Sequence, residues 1–146
     1  MNLFGDDRES LRAHFFLVWG KLQDREPLEP LEAIIAEVIN MHPEYHGIIA
    51  DPVANMDRDW GPEGGESNPF LHMGLHIAIK EQLTTDLPPG IAARFQAIVA
   101  GTGDVHAAEH RVLEALAETL WEAQSAGTTP DIDAYLARLD GIGGKA

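Results

Sequence analysis

The sequence predicts an all-α fold, an irregular bundle of five or six helices in a single domain. In several segments apolar residues recur at the period of a buried helix face. Prolines and capping residues separate these segments. No segment shows the strict alternation of apolar and polar residues that is typical of a strand. We therefore expect residues 1–140 to form the helical domain and residues 141–146 a flexible tail.

The first helix is predicted to begin near Asp6 or Asp7, because an aspartate at that position can cap free backbone N–H groups. The residues with helical spacing that form its buried stripe are Leu11, Phe15, Val18 and Leu22. Trp19 lies beside this stripe. Two prolines in residues 24–30 predict the turn that follows.

Pro30 fits the first position of the second helix, where its missing N–H is not needed. The buried stripe of this helix is Leu31, Ile34, Ile35, Val38 and Ile39. His42 falls on the same stripe one turn later. Pro43 stops the helix or starts another, because proline disfavours helical backbone at the residue before it.

Residues 45–50 are predicted as one short additional helix, and residues 51–67 as a long irregular loop that contains Trp60. Asn68 and Pro69 form a helix start, with a capping amide followed by a proline. That helix is expected to run to about residue 86.

Three further helices are predicted in the rest of the chain. The first covers residues 91–100, and Gly101 to Asp104 break it. Asp104 caps the next helix, which runs from Val105 to about Ser125 and has the strongest apolar periodicity. Thr129 to Asp131 open the last helix, which continues through residue 140.

Composition excludes several classes of function. The 146 residues carry a net charge of −14, which disfavours binding to nucleic acids and to anionic membranes. This charge fits a basic protein partner, but its simpler interpretation is a soluble cytosolic protein. The absence of cysteine excludes disulfides, iron–sulfur clusters and cysteine zinc sites. Residues 1–7 lack the pattern of a signal peptide, and no apolar run is long enough to span a bilayer, so we expect a cytoplasmic protein.

Six of the seven histidines form three pairs with i, i+4 spacing, whereas random placement would give about 0.3 such pairs. The pairs are His42 and His46, His72 and His76, and His106 and His110. On a helix, residues with this spacing lie on one face, where two imidazoles can bind one metal ion. The repeated spacing therefore predicts a metal site between helices.

Helical projection places both rings of His72 and His76 toward the buried arc of Leu71, Leu75, Ile79 and Leu83. In the helix from residue 105, Glu109 lies in the middle of an apolar arc formed by Val105, Val112, Leu113, Leu116, Leu120 and Ala123. His106 and His110 lie on the shoulder of that arc. A buried carboxylate is costly unless it is paired, protonated or bound to a metal.

The resulting hypothesis is a transition-metal site formed by His72, His76, His106 and His110, with Glu109 as a ligand or general base. His42 and His46 are secondary candidates for ligands. Imidazole and carboxylate suit zinc or iron first, with nickel or manganese as further options. If one coordination position is open, the metal can activate water or bind dioxygen.

Several simpler interpretations stand beside this hypothesis. His14 is interpreted as a hydrogen-bonded core residue, and His42 and His46 can instead bind backbone carbonyls at a helix end. Residues 106–110 match the H-x-x-E-H metallopeptidase pattern, but the short chain that follows argues against a peptidase. Trp19 and Trp121 are expected in the core or at its edge.

The alternative function is an acidic interaction module without metal. In this interpretation the histidines are core residues that respond to pH, and the loop that carries Trp60 contacts a protein partner.

Three stretches of the chain resemble a known family. They are H-P-E-Y-H from His42, N-P-F-L-H-M-G-L-H from Asn68, and H-A-A-E-H from His106, the last followed by L-W-E-A-Q. Together they resemble a family of small bacterial proteins classified as domain of unknown function 1841. The resemblance extends from the first helix to about Leu139 and implies a bacterial, cytoplasmic, stand-alone protein. It implies no activity, substrate or catalytic residue.

Overall fold

The computed structural model describes residues 8–58 and 68–143, and these residues form helices joined by turns, without a strand. The helices are α1 (Arg8–Asp24), α2 (Pro30–Asn40), α3 (His46–Ile49), α4 (Pro52–Asn55), α5 (Pro69–Thr85), α6 (Ile91–Thr102), α7 (Val105–Ala126) and α8 (Ile132–Gly143), and a 3₁₀ turn covers Pro43–Tyr45. The all-α prediction is therefore confirmed. None of the described helices is both long and apolar enough to cross a membrane.

The predicted number of five or six helices is wrong, because the described residues contain eight. Of these, α3 lies within residues 45–50, where one short helix was predicted, whereas α4 lies within residues 51–67, which were predicted as an irregular loop. Each has only four residues, which is too few to show an apolar period. The last helix also extends beyond its predicted end, since residues 141–143 continue α8. The predicted tail at residues 144–146, the predicted start near Asp6 or Asp7, and Trp60 lie outside the described residues.

Side-chain oxygens cap the N-termini of several helices, as their sequences predict. The Oδ1 atom of Asn68 accepts from the N–H of Phe70 at 2.9 Å, at the start of α5. The Oδ1 atom of Asp104 accepts from the N–H of His106 at 3.0 Å, at the start of α7. Such caps satisfy the N–H groups that have no carbonyl partner within the helix, and they fix the residue at which each helix begins.

Contacts divide the chain into two compact units, residues 1–77 and residues 78–146, with the boundary inside α5. The first unit contains α1 to α4 and the first half of α5. Its core is a cluster of buried apolar residues: Phe15, Val18, Ile35, Ala36, Val38, Ile39, Ile49, Phe70, Met73 and Ile77. The predicted stripes of α1 and α2 supply half of this core, and Trp19 lies at its edge as expected.

The second unit contains the end of α5 together with α6, α7 and α8, and the last three helices contact one another pairwise. Its buried apolar residues include Ile79, Ile91, Phe95, Ile98, Ala108, Val112, Leu113, Leu116, Tyr135 and Leu139. The hydroxyl of Tyr135 donates to Oε1 of Gln82 at 2.8 Å, so this buried phenol is satisfied.

Three apolar residues that were predicted to be buried are exposed. Leu71 and Val105 lie in the first turns of α5 and α7 and are 47% and 57% exposed. Trp121 is 67% exposed because it shares its row of α7 with the exposed Glu114 and Glu118. On α5, residues 73–77 are all buried, so the narrow arc predicted for this helix is too small.

A buried arginine connects three elements of the first unit. Arg12 of α1 is 1% exposed, and its guanidinium carbon lies 5.0 Å from the ring centroid of Phe70 at the start of α5. Its Nη1 contacts three backbone carbonyl oxygens at and after the end of α4, those of Asn55, Met56 and Arg58, at 3.1, 3.0 and 2.7 Å. These charge-assisted hydrogen bonds satisfy carbonyls that a helix end leaves without an internal partner.

We expect Arg12→Met to lower the free energy of unfolding by about 3 kcal/mol, because it removes several hydrogen bonds from a charged and buried donor. Arg12→Lys should lose less, since an ammonium keeps the charge but not the planar geometry. Urea denaturation measures both variants, and Arg111→Met, at an exposed position of α7, is the control. A loss below about 0.5 kcal/mol for Arg12→Met would contradict this interpretation.

A second buried charge is paired where α1 meets α2. The carboxylate of Glu32 accepts from Lys21 Nζ at 2.9 Å and from the backbone N–H of Glu29 at 2.8 Å. The backbone hydrogen bond, followed by the bond to Lys21, holds the pKa of Glu32 below its ordinary value.

Because the pKa of Glu32 is lowered on folding, its stabilising contribution should be complete above the ordinary glutamate pKa of about 4.3 and should disappear as pH falls through the lower folded value. We therefore expect Glu32→Gln to be less stable than the wild type at neutral pH, with a difference that shrinks in acid. Urea titrations across the pH range measure this difference, with the exposed Glu114→Gln as the control. A pH-independent difference would refute the linkage.

Candidate metal centre

The end of α2 determines how the first histidine pair is arranged. Pro43 disfavours helical backbone at the preceding residue, and His42 has φ −128° and ψ 64°. The imidazole of His42 folds back so that its Nδ1–H donates to the carbonyl of Val38 at 2.7 Å. A carbonyl only accepts, so the proton lies on Nδ1 and the lone pair of the neutral ring lies on Nε2. His42 is thus held in the tautomer that binds a metal through Nε2.

His46 has a different environment although it belongs to the same sequence pair. Its Nε2–H donates to the carbonyl of Ile39 at 2.9 Å, and its ring packs on Trp19 with centroids 4.9 Å apart. Both histidines therefore bind backbone carbonyls at the end of α2, which is one of the two arrangements that the sequence allowed. The pair does not act as a unit, because the proline between its members ends the helix.

The second pair lies on one face of α5, as its spacing predicts. The Nε2 atoms of His72 and His76 are 3.2 Å apart, which is a hydrogen-bond distance between the two rings, and the ring centroids are 4.8 Å apart. Two nitrogens bound to one tetrahedral zinc ion at about 2.0–2.1 Å lie about 3.3 Å apart. The two rings are therefore already placed at the separation that one bound ion requires.

His42 lies against both rings of this pair. Its ring centroid is 5.1 Å from that of His72 and 4.8 Å from that of His76, so the three rings form an almost equilateral triangle. One ring nitrogen from each lies within 4.8 Å of the nitrogens of the others. His76 and His42 are buried, at 0% and 3% exposed, and His72 is half-buried. We call these three residues, all in the first unit, the three-histidine cluster.

Tyr45 is a fourth aromatic residue at this cluster and was not among the predicted site residues. Its ring is stacked on that of His42 at an interplanar angle of 8°, with centroids 5.4 Å apart. It also meets the ring of His72 edge-on, at 6.1 Å and 79°. Its place in H-P-E-Y-H, three residues after His42, is the only sequence signal that could have pointed to it.

The third pair lies in the second unit, at the start of α7. The ring centroids of His106 and His110 are 4.5 Å apart at 88°, so the i, i+4 spacing again brings two imidazoles together. His106, predicted on the shoulder of the buried arc, is exposed in the first turn of the helix. His110 is half-buried. That this pair shares an ion with His72 and His76 stays a prediction.

Glu109 is buried on α7, as the sequence predicts, at 3% exposed. Its Oε2 lies 3.4 Å from Nζ of Lys80 on α5, and both side chains are largely shielded from solvent. A lysine therefore offsets the charge of this carboxylate within the second unit, without a metal being needed for it. The proposed roles of Glu109 as ligand or general base stay predictions.

The remaining histidine, His14 on α1, donates from Nδ1 to the carbonyl of Ser10 at 2.8 Å and is half-buried. It is hydrogen-bonded as predicted, at the edge of the first unit's interior rather than in its core.

Comparison with known families agrees with the resemblance noted from the sequence. The profile described as "Domain of unknown function (DUF1841)" matches residues 7–141, which is nearly the whole chain. The chain belongs to the DUF1841 family. No curated protein and no solved structure matches it. The family assignment supplies no activity, so the functional argument for this DUF1841 protein rests on the geometry of its side chains.

The pairing of Lys80 with Glu109 can be tested by a double-mutant cycle of Lys80→Met and Glu109→Gln. We expect a coupling energy of about 1–3 kcal/mol in urea denaturation, because each single variant removes one charge from a shielded pair. The double variant should be more stable than the sum of the single losses predicts. A coupling energy near zero would show that Glu109 does not depend on Lys80.

Proposed function

We propose that this protein binds a transition metal ion, zinc or iron, through the three-histidine cluster. The observation that carries the proposal is the triangle of His42, His72 and His76, in which two Nε2 atoms lie 3.2 Å apart. A hydrogen bond between His72 and His76 explains the contact of those two rings, but it does not explain the third ring, that of His42, beside both of them. Three imidazoles that meet within a few ångströms are typical of ligands around one ion.

The hydrogen bond of His42 supports the same proposal. Histidines that bind metals usually donate their other ring N–H to a carbonyl or carboxylate, which fixes the tautomer and the direction of the lone pair. The bond from Nδ1 of His42 to the carbonyl of Val38 has this form. It needs no further side chain, because the carbonyl at the end of α2 has no partner within the helix.

The chemistry of the donors favours some ions over others. The cluster consists of imidazoles alone, and neutral imidazole suits zinc, copper, iron and nickel, whereas manganese favours oxygen ligands. Zinc and iron are therefore the ions to test first, with nickel next. Three neutral ligands also leave the positive charge of the ion uncompensated, and such an ion strongly polarises a water molecule bound to it.

A tetrahedral ion held by three histidines has a fourth coordination position, which a water molecule can occupy. The ion would lower the pKa of that water and could generate a hydroxide, as in hydrolytic and hydrating enzymes.

Plasma mass spectrometry of untagged protein, loaded separately with zinc and with Fe(II), tests the proposal. We expect about one ion per chain in the wild type. His42→Ala, His72→Ala and His76→Ala should each weaken binding more than about 100-fold, beyond the usual effect of losing an outer-shell partner. His14→Ala is the matched control, because it removes a hydrogen-bonded histidine on α1, outside the cluster. This variant should bind metal as the wild type does.

One further outcome of this experiment is decisive. A wild type that binds none of zinc, iron, nickel and manganese, and whose melting temperature no metal raises, would refute the proposal. That result would leave the acidic interaction module as the working hypothesis.

A further inference from the structure

We infer that Tyr45 is a positioning residue of the metal site, holding the planes of two ligand rings so that their lone pairs converge. This inference rests on the proposed function. It assigns a role to a residue that neither the spacing of the histidines nor the family assignment identifies.

Backbone geometry brings Tyr45 back over His42. Tyr45 is the last residue of the 3₁₀ turn that begins at Pro43, and its N–H donates to the carbonyl of His42 at 2.9 Å. A turn of this kind stacks residue i+3 close to residue i. The phenol ring therefore lies nearly parallel to the His42 imidazole, at 8° and with the ring centroids 5.4 Å apart.

The same phenol ring also touches the second element of the site. Its contact with His72 is edge-on, at 79° and 6.1 Å, and both ring separations fall in the range of favourable aromatic pairs. Tyr45 thus connects a ligand at the end of α2 with a ligand on α5. These elements are about thirty residues apart in the chain, so a local turn could not fix their relative ring orientation by itself.

Ring orientation matters because an imidazole binds a metal along the in-plane lone pair of its nitrogen. For His42 the bond to Val38 restrains rotation about the side chain, and the stacked phenol restrains tilting of the ring plane. Tyr45 is half-buried, so its ring is packed rather than free to turn into solvent. In this inference the aromatic face of Tyr45 restrains the His42 ring, and the phenol hydroxyl is not required.

The test compares Tyr45→Phe, which keeps the face and loses the hydroxyl, with Tyr45→Leu, which loses the face. Zinc affinity is measured by competition with a chromophoric chelator. We expect about a 10-fold loss of affinity for Tyr45→Leu and a change of less than about twofold for Tyr45→Phe. In the cobalt-substituted protein, Tyr45→Leu should also alter the visible d–d spectrum, which reports ligand geometry, while Tyr45→Phe should not.

Phe16→Leu is the matched control for a general loss of packing. Phe16 is a half-buried aromatic residue of the same unit, and its ring pairs with Phe70 at 5.6 Å. This variant should lower the melting temperature of the metal-free protein and leave zinc affinity and the cobalt spectrum unchanged.

Three results would overturn the inference, and they are distinguishable. Wild-type zinc affinity retained in Tyr45→Leu would refute the role of Tyr45 alone, with the metal site intact. Equal losses in Tyr45→Phe and Tyr45→Leu would assign the effect to the hydroxyl instead of the aromatic face. A wild type that binds no metal would remove the proposed function and this inference together.

Discussion

The end of α2 at Asn40, followed by Pro43, is the constraint on which the candidate site depends. A helix leaves its last carbonyls without internal partners, and Pro43, three residues after the end of α2, disfavours helical backbone at the residue before it. In this protein the imidazoles of His42 and His46 satisfy the carbonyls of Val38 and Ile39. One local event therefore ends the helix, fixes the tautomer of a candidate ligand, and begins the turn that brings Tyr45 over it.

The buried charged side chains of this protein have partners that explain their burial. The guanidinium of Arg12 is bound to carbonyl oxygens, and the carboxylates of Glu32 and Glu109 each face a lysine. Each of these groups has a partner of opposite charge or dipole, as burial requires. The three-histidine cluster is different, because three imidazoles from α5 and from the end of α2 lie against one another. A bound metal ion is the explanation that we propose for this arrangement.

The sequence predicted much of the fold because the signals that begin and end helices are local. Caps such as those of Asn68 and Asp104 are single residues that bond to N–H groups one turn away, and they are where expected. Burial was predicted less well. Leu71 and Trp121 are exposed, because an apolar side chain is buried only where another element packs against it, and helical periodicity does not contain that information.

For the candidate site, the i, i+4 spacing by itself determined that His72 and His76 meet on α5, because helix geometry alone sets that separation. The same spacing in residues 42–46 failed to predict a pair, since the proline between them redirects the chain. Only the tertiary structure decided that His42, ranked second from the sequence, joins the α5 pair, and that Tyr45 packs against both. Those contacts connect residues far apart in the chain, and they depend on how α2 and α5 pack around a shared core.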